Sequence, residues 1–541
     1  MSRFVARRSA LAIRTPCVCA RYASSGAFDR NEYGLFIDGK FVAASGEDTQ
    51  LAVENPATME RLAYVNNATA ADVDRAVASG QRAFEAGLWS RASVSERANV
   101  LNNIANALRK RIPEFAEKET LQTGRPVREM RAQLTRIPEW FEYFAALART
   151  SEGSVPPFLG PYVNYTQRLP LGTVGLRTLA EIVSRVVNVV VMMQITPWNH
   201  PLLIAVKKLA PALAAGNSVV VKPSELAPLT VVQLAELCHN AGLPAGVFNC
   251  VPGLGAVAGQ ALAEHPAIKK IDFTGGTKTG RIVAAAAGRS LASTTMELGG
   301  KAPIVVFDDV DVNEVVNGAA FACFIASGQT CVTGARLIVH ESIFDELVKK
   351  LVAKVRSIRL GDPMSDRTQM GTIISQLHLI RIHAVVERAR QAGATVRCGG
   401  RRAPDLKGYF YEPTVITDVT PDMEIVQQEV FGPVVAAYSF TDEADAVRLA
   451  NDSPFGLGAA VWTNNIKRAH RVANSLEAGI VWLNDHHRND PSSPWGGVKD
   501  SGMGRENGLE AYRSYSQIKS VIAGFGNEKF DWFVDDTVRY G

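Results

Sequence analysis

Four short stretches of this chain combine residue types that could do chemistry. Cys331 lies in SGQTCVTGARL, after the Ala- and Phe-rich segment NGAAFACFIASG. Its small polar neighbours, Ser327, Gly328, Gln329 and Thr330, leave a thiol reachable, and backbone N–H groups beside it would stabilise negative charge. Both features favour a thiolate nucleophile. A lone cysteine is more commonly an inert buried thiol. Glu297 in TTMELGGK sits among Met296, Leu298 and two glycines. Poor solvation there would raise its pKa toward the range of a general base; an exposed glutamate at a turn is the alternative. Lys222-Pro-Ser224-Glu225 follows the β-branched run SVVV directly. Nucleotides dock at the ends of parallel strands, where a Glu accepts hydrogen bonds from a ribose 2′-OH and repels a 2′-phosphate. A surface Lys–Glu pair would look the same. Phe273-Thr-Gly-Gly-Thr-Lys-Thr-Gly280 places glycines at 275, 276 and 280, which would let backbone approach a pyrophosphate at a helix start. An ordinary glycine turn fits equally well. Gly253-Leu-Gly255-Ala-Val-Ala258 matches G-x-G-x-x-A, but a pattern that short is weak, and the pyrophosphate is not expected there.

The elements that must hold these residues are strands alternating with helices. Ser218–Val221 and Pro303–Phe307 read as strands, and Ala/Leu-rich stretches at helical spacing lie between such runs. Thr69-Ala-Ala-Asp72 is a capping box for a helix with Val73, Ala76, Val77 and Phe84 on one face. This alternation predicts an α/β fold with parallel sheets covered on both faces. At 541 residues the chain needs two or three domains. The sequence shows no internal repeat and no low-complexity linker.

Lys and Arg total 58 against 54 Asp and Glu. Arg3, Arg7, Arg8, Arg14 and Arg21 fall in the first 28 residues, which contain no acid, so the body is nearly neutral. It has no basic stripe for nucleic acid or an anionic membrane. The Arg-rich, Ser-containing residues 1–28 read as a mitochondrial presequence, which would direct the protein to the matrix; a disordered basic tail on a cytoplasmic protein is the alternative. Cys17 and Cys19 lie in that segment, and the other five cysteines show no CxxC or His/Cys metal spacing. Free thiols suit a reducing compartment. No apolar run approaches the ~20 residues that span a bilayer.

The ordered set PWNHP (197–201), KPSE (222–225), FTGGT (273–277), MELGGK (296–301), GQTC (328–331), EVFGPV (429–434) and PWGG-K-SG-GRE (494–506) resembles the NAD(P)-dependent aldehyde dehydrogenase superfamily, and the likeness runs from about Phe36 to Val521. The resemblance is nearest to the non-acylating betaine/amino-aldehyde and aromatic-aldehyde branches. It implies that Cys331 attacks an aldehyde carbonyl, that Asn199 and the Cys331 N–H form an oxyanion hole, and that hydride leaves for a nicotinamide. Glu297 would then activate water to release the acid. It also implies a cofactor-binding set of Thr196, Pro197, Trp198, Lys222, Ser224, Glu225, Gly275, Gly276, Gly280, Glu429 and Phe431. Glu429 would hold the nicotinamide ribose and Phe431 would pack beside the ring. Lys222 and Glu225 would hold the adenosine ribose, favouring NAD over NADP. No metal is implied. The implied domains are a Rossmann-like cofactor domain (29–151 and 171–298), an α/β catalytic domain (299–505) and a small β extension (152–170 and 506–530) that pairs subunits into a homodimer or homotetramer.

Two departures from the family pattern stand out. Gly276 replaces the usual Ser, which removes one hydroxyl contact worth about 1 kcal/mol. More unusually, Pro170–Leu176 (PLGTVGL) is separated from Ile195–Asn199 (ITPWN) by residues 177–194, although joining the two would give the family's continuous strand. An insert inside a buried strand is hard to accommodate. A retained intron or gene-model error explains it; a genuine insert looping out as a helix–strand excursion is the alternative, and such an insert would impair catalysis. The tunnel mouth is expected at 485–493, where His486, His487 and Arg488, with Lys207 on the helix after Asn199, would form a cationic rim favouring an acidic or polar aldehyde. A solvated loop making subunit contacts is the competing reading of the same segment. An acylating, CoA-dependent semialdehyde dehydrogenase would share Cys331, but Glu297 argues for hydrolysis to the free acid.

Overall fold

The computed structural model describes residues 30–47, 49–171, 191–526 and 533. The expected presequence (1–28) and residues 177–190 of the extra segment therefore lie outside the described residues.

Two large sheets carry the fold. The first has eight strands, in the order Gly502–Met503, Ser293–Glu297, Ile268–Thr274, Val191–Ile195, Val219–Lys222, Phe248–Cys250, Leu35–Ile37 and Lys40–Val42. Its middle five are parallel. Their side chains alternate between two apolar layers, as strands buried on both faces require. Met192, Val219 and Val221 pack toward the helices Pro201–Ala214 and Leu229–Asn240. Val191, Met193 and Val220 pack toward Ala70–Glu85 and Thr277–Arg289. The Thr69/Asp72 capping box forms as read, with Val73, Ala76, Val77 and Phe84 buried. Chain order runs outward from Val191–Ile195 through Val219–Lys222 and Phe248–Cys250, then crosses back to Ile268–Thr274 on its other side. The crevice of an open α/β sheet opens at the carboxyl ends of its strands at such a reversal.

The second sheet has seven strands, in the order Thr395–Cys398, Thr414–Thr417, Val434–Phe440, Arg336–His340, Pro303–Val306, Gly458–Trp462 and Ile480–Leu483, and all but the first run parallel. It too is covered on both faces. Away from both sheets, Tyr162–Pro170 and Ser516–Gly524 form an antiparallel ribbon paired over nine residues.

One expectation is corrected here. The strand leading into Thr196-Pro-Trp-Asn is not Thr173–Leu176 running on from Pro170. It is Val191–Ile195, so the last four residues of the extra segment, Val191-Met-Met-Gln194, are themselves fully buried central strand. They fit because they are apolar at the three positions that meet the core, with Gln194 donating to the Tyr515 hydroxyl at 3.4 Å. Between Val191 and Ile195 the strand is therefore continuous. Leu171 is tied down before them by its N–H bond to Asn217 Oδ1 (3.0 Å).

Candidate active site

The two sheets present their strand ends to one another, and the sequence-expected residues converge there. Cys331 follows an unusual turn. Ala326, Ser327 and Gly328 are all left-handed (φ 53, 55 and 68°), although two of them are not glycine. Each such non-glycine residue costs about 1 kcal/mol or more, so the surroundings must impose the turn. A Cβ on Gly328 would lie 2.2 Å from the Gly432 carbonyl oxygen, which fixes how closely this loop docks on EVFGPV. Gln329 then ties the loop down. Its amide donates to Thr372 O (3.0 Å), and its side-chain oxygen accepts from Ile374 N (2.9 Å).

The partly exposed Cys331 Sγ lies 3.5 Å from Glu297 Oε2. Glu297 ends the strand Ser293–Glu297 and is buried, and its other oxygen has no partner. Burial, and then the charge of Glu506, pushes its carboxyl up to about 8. Burial, and then Glu297, pushes the Cys331 thiol well above its usual range, while Lys207 pulls it back. At neutral pH the pair is protonated and uncharged, and ionising Glu297 supplies a base within reach of the thiol or of a water. Asn199, also buried, turns its amide toward the same loop: Nδ2 donates to Gln329 O at 2.9 Å, with a second N–H left for an oxyanion.

The cofactor-side residues cluster at the switch point. Thr196 N donates to Lys222 O (3.1 Å), and Thr196 Oγ1 is buried without a partner. Trp198, after Pro197, meets Phe431 edge-on at 5.3 Å. Gly276 caps the helix Thr277–Arg289 with no side-chain acceptor, so the first N–H groups stay open to an anion. A Cβ on Gly276 would meet nothing within 4 Å, whereas on Gly280 it would lie 2.4 Å from Leu298. Gly275 N donates to Glu297 O (3.1 Å), joining the phosphate turn to the base. Lys222 is buried, donates to Pro223 O (2.8 Å) and lies 3.6 Å from Glu225. Ser224 Oγ accepts from Leu226 N (3.3 Å), shaping the turn that carries Glu225. Glu429 Oε1 accepts from Gly300 N (2.8 Å), and burial pushes its carboxyl up to about 7. The uncapped helix and the orphaned Thr196 hydroxyl fit a dinucleotide. The turn at Gly255–Gly259 stands at the end of the neighbouring strand, with Gly259 against the Lys222 side chain, and so borders the Lys222 end of this crevice.

Several residues escaped sequence reasoning. Beneath Glu297, Glu506 bridges Lys207 (2.8 Å) and Lys208 (2.5 Å), and Lys208 also pairs with Asp272, which accepts from the Tyr515 hydroxyl. Burial works against the Glu506 charge, but the two lysines outweigh it and hold the carboxyl at about 2. Two lysines in the otherwise apolar helix LLIAVKKLAPALA were the available signal. Arg125 bonds Asn199 O (3.1 Å) and His200 Nδ1 (2.6 Å), and it pairs with Glu129. Its reach across 74 residues left no local trace. His378 bonds Phe431 O (2.7 Å) and meets Trp198 edge-on at 5.5 Å. The tunnel rim is corrected in part. His486 and His487 point inward to Val332 O (2.7 Å) and Ala322 O (3.1 Å), and burial keeps both imidazoles neutral. Lys207 is buried against Glu506, so of the four expected rim residues only Arg488 is an exposed cation, and it pairs with Asp485.

Comparison with known proteins agrees with this geometry. The aldehyde dehydrogenase family model matches residues 41–521. The chain is 40% identical over 509 residues to aminoaldehyde dehydrogenase 1, peroxisomal, of Pisum sativum, covering 92% of this chain and 97% of that one. A chloroplastic aminoaldehyde dehydrogenase of Arabidopsis thaliana matches equally well, at 40% with the same coverage. Among solved structures, the betaine aldehyde dehydrogenase of Staphylococcus aureus in complex with NAD+ superposes with a TM-score of 0.89 at 36% identity, covering 95% of this chain and 99% of that one. Matched in motif order, in fold and across nearly its whole length, the chain belongs to the aldehyde dehydrogenase family.

Proposed function

We propose that the protein oxidises an aldehyde to its carboxylic acid with NAD, using Cys331 as nucleophile and Glu297 as base. The observation that carries this is the 3.5 Å contact between Cys331 Sγ and a buried glutamate whose second oxygen is unpartnered. The thiol, deprotonated by Glu297, adds to the carbonyl carbon. Asn199 Nδ2 and the Cys331 N–H stabilise the oxyanion, a contribution of a few kcal/mol per donor. The bound nicotinamide supplies the hydride acceptor. Collapse of the oxyanion as the hydride departs leaves a thioester on Cys331; Glu297, having passed the thiol proton to solvent, then takes a proton from the water that hydrolyses the thioester, and the sulfur leaves with the acid released. Trp198 and Phe431 would flank the nicotinamide, with Glu429 at its ribose. The Thr277 helix start would take the pyrophosphate, and Lys222 and Glu225 the adenosine ribose. NAD is preferred because the Glu225 carboxylate opposes a 2′-phosphate.

The domain division follows the same reading: cofactor domain 29–151 and 171–298, catalytic domain 299–505, extension 152–170 and 506–530. The ribbon carries exposed Val163, Tyr165, Ile518 and Ile522. A lone two-stranded ribbon is marginal in water, which supports pairing in a homodimer or homotetramer, measurable as mass by light scattering. No helix among the described residues is long and apolar enough to cross a membrane. Residues 1–28 direct the protein to the mitochondrial matrix, tested by imaging fusions with and without them. Thr173–Leu176 and Val191–Gln194 are rival fillings of one strand position, which supports the reading of residues 177–194 as a splicing or gene-model error; a mature message uniformly encoding them would sink it.

The test of function is NADH release from a panel of aldehydes by the chain lacking residues 1–28. Cys331→Ala is expected to abolish it, by at least about a thousandfold. Added CoA should yield no acyl-CoA; trapping of the thioester by CoA in place of water would refute the assignment of Glu297.

A further inference from the structure

The relatives reported above are named for aminoaldehydes and for betaine aldehyde, compounds whose nitrogen is cationic at neutral pH. The general means of binding such a cation is the face of an aromatic ring. This chain has the rings. Trp495 and Trp482 stand 6.1 Å apart, and Trp482 leans on His486. Trp495 is linked to the catalytic floor by reciprocal backbone bonds with Glu506 (2.7 Å each). The face of Trp495, however, is already occupied by the protein's own cation. Lys207 Nζ lies 4.6 Å from the ring centroid, on a side chain that is 4% exposed.

Lys207 is close enough to the reacting groups for its charge to act on Cys331, Glu297 and His200. Its single bonded carboxylate, Glu506, is shared with Lys208. Lys270, over the Tyr515 ring, adds a third lysine to a floor whose carboxylates are Glu506, Asp272 and, once ionised, Glu297. The other groups facing this space are His200 and His487, kept neutral by burial, and Arg125, whose positive charge acts on both; none supplies a negative charge for a bound cation.

Resting on the dehydrogenase reading above, we infer that Lys207 sets the substrate class: the site takes aldehydes whose tail is anionic or uncharged and rejects ammonium aldehydes, because Lys207 fills the aromatic face that an ammonium would need and repels a second positive charge beside it. This is rejection by an opposing charge rather than by shape.

Three aldehydes test it: betaine aldehyde, its uncharged isostere tert-butylacetaldehyde, and succinic semialdehyde. The first two differ only in nitrogen for carbon. Their kcat/KM ratio within one enzyme therefore cancels any general effect on the chemistry. The uncharged isostere and the semialdehyde are each expected to exceed betaine aldehyde by on the order of tenfold or more. In Lys207→Met the isostere-to-betaine ratio should collapse toward unity, and in Lys207→Arg it should persist. Equal efficiency on the isosteric pair in the unaltered enzyme, or a preference for betaine aldehyde, overturns the inference, and that measurement needs no variant to fold. If no aldehyde gives NADH, the dehydrogenase reading fails instead. The charge order is then read from how well the same three compounds protect Cys331 from iodoacetamide, with best protection by betaine aldehyde overturning it.

Discussion

The cofactor crevice and the catalytic floor meet at Glu297, yet they are made of different material. The crevice is largely backbone: strand ends, an uncapped helix, and glycines whose lack of a side chain is their contribution. The floor is largely side chain: a buried, alternating set of lysines and carboxylates drawn from the helix 201–214, the strand 268–274 and the GRE segment. Backbone presents fixed partial charges that bind any suitable phosphate. Buried ionic side chains instead set one another's protonation, so the floor is where proton affinity, and hence rate, is determined.

That contrast predicts a graded series. Glu297→Gln should give the largest change, with turnover falling by about 10²–10⁴. A remaining burst of NADH, seen by stopped flow, would place the defect after thioester formation; equal loss of the burst would mean that Glu297 also serves the thiol. In the unaltered enzyme, turnover should rise with pH through about 8, as Glu297 ionises. Glu506→Gln should move that limb to lower pH, because the Glu506 charge helps raise the Glu297 pKa. A limb that stays in place would uncouple the two carboxylates. The same substitution leaves Lys207 and Lys208 short of a partner, which costs about 3–5 kcal/mol in a buried pair. In the unaltered protein, Glu506 has its pKa lowered on folding. Its contribution to stability is therefore full above pH ~4.5, its ordinary range, and is lost as pH falls through about 2. Denaturant midpoints across acid pH measure this.

In the crevice, two glycines should behave differently. Gly280→Ala drives a methyl to 2.4 Å from Leu298 and should cost about 1–3 kcal/mol, read as a lower Tm. Gly276→Ser enters open space and should leave Tm unchanged while lowering the KM for NAD, by about 1 kcal/mol at most. If Gly276→Ser lowered stability as Gly280→Ala does, the crevice would not be the open anion cradle described above.

The contrast also explains what was legible in the sequence. The crevice residues lie in short local motifs, KPSE and FTGG, whose turn chemistry is written in neighbouring residues. Cys331 and Glu297 stood out in their own segments, whereas Asn199 was marked only by the family resemblance. Lys208, Asp272, Glu506 and Tyr515 form one network whose bonded pairs lie 64, 243 and 298 residues apart, so no local window contains a residue together with the partner it bonds. Arg125 was invisible for the same reason. The strand at 191–195 was misplaced for another. Thr173–Leu176 and Val191–Gln194 both suit a buried strand, and pattern alone does not choose between two suitable fillings. His486 and His487 were read as cations because residue type shows that they can carry charge, while their burial follows only from packing.

The left-handed turn before Cys331 has a consequence for the life of the chain before it is finished. The turn persists only because the Gly432 carbonyl and the Thr372–Ile374 segment press against it, and both come later in the sequence. A ribosome that has delivered Cys331 has not yet delivered its restraints, nor the GRE lysine partner that tunes the base. The nascent thiol is then an ordinary cysteine. Its placement against the base and the oxyanion donor arrives only with completion, when the domain that directs it is closed.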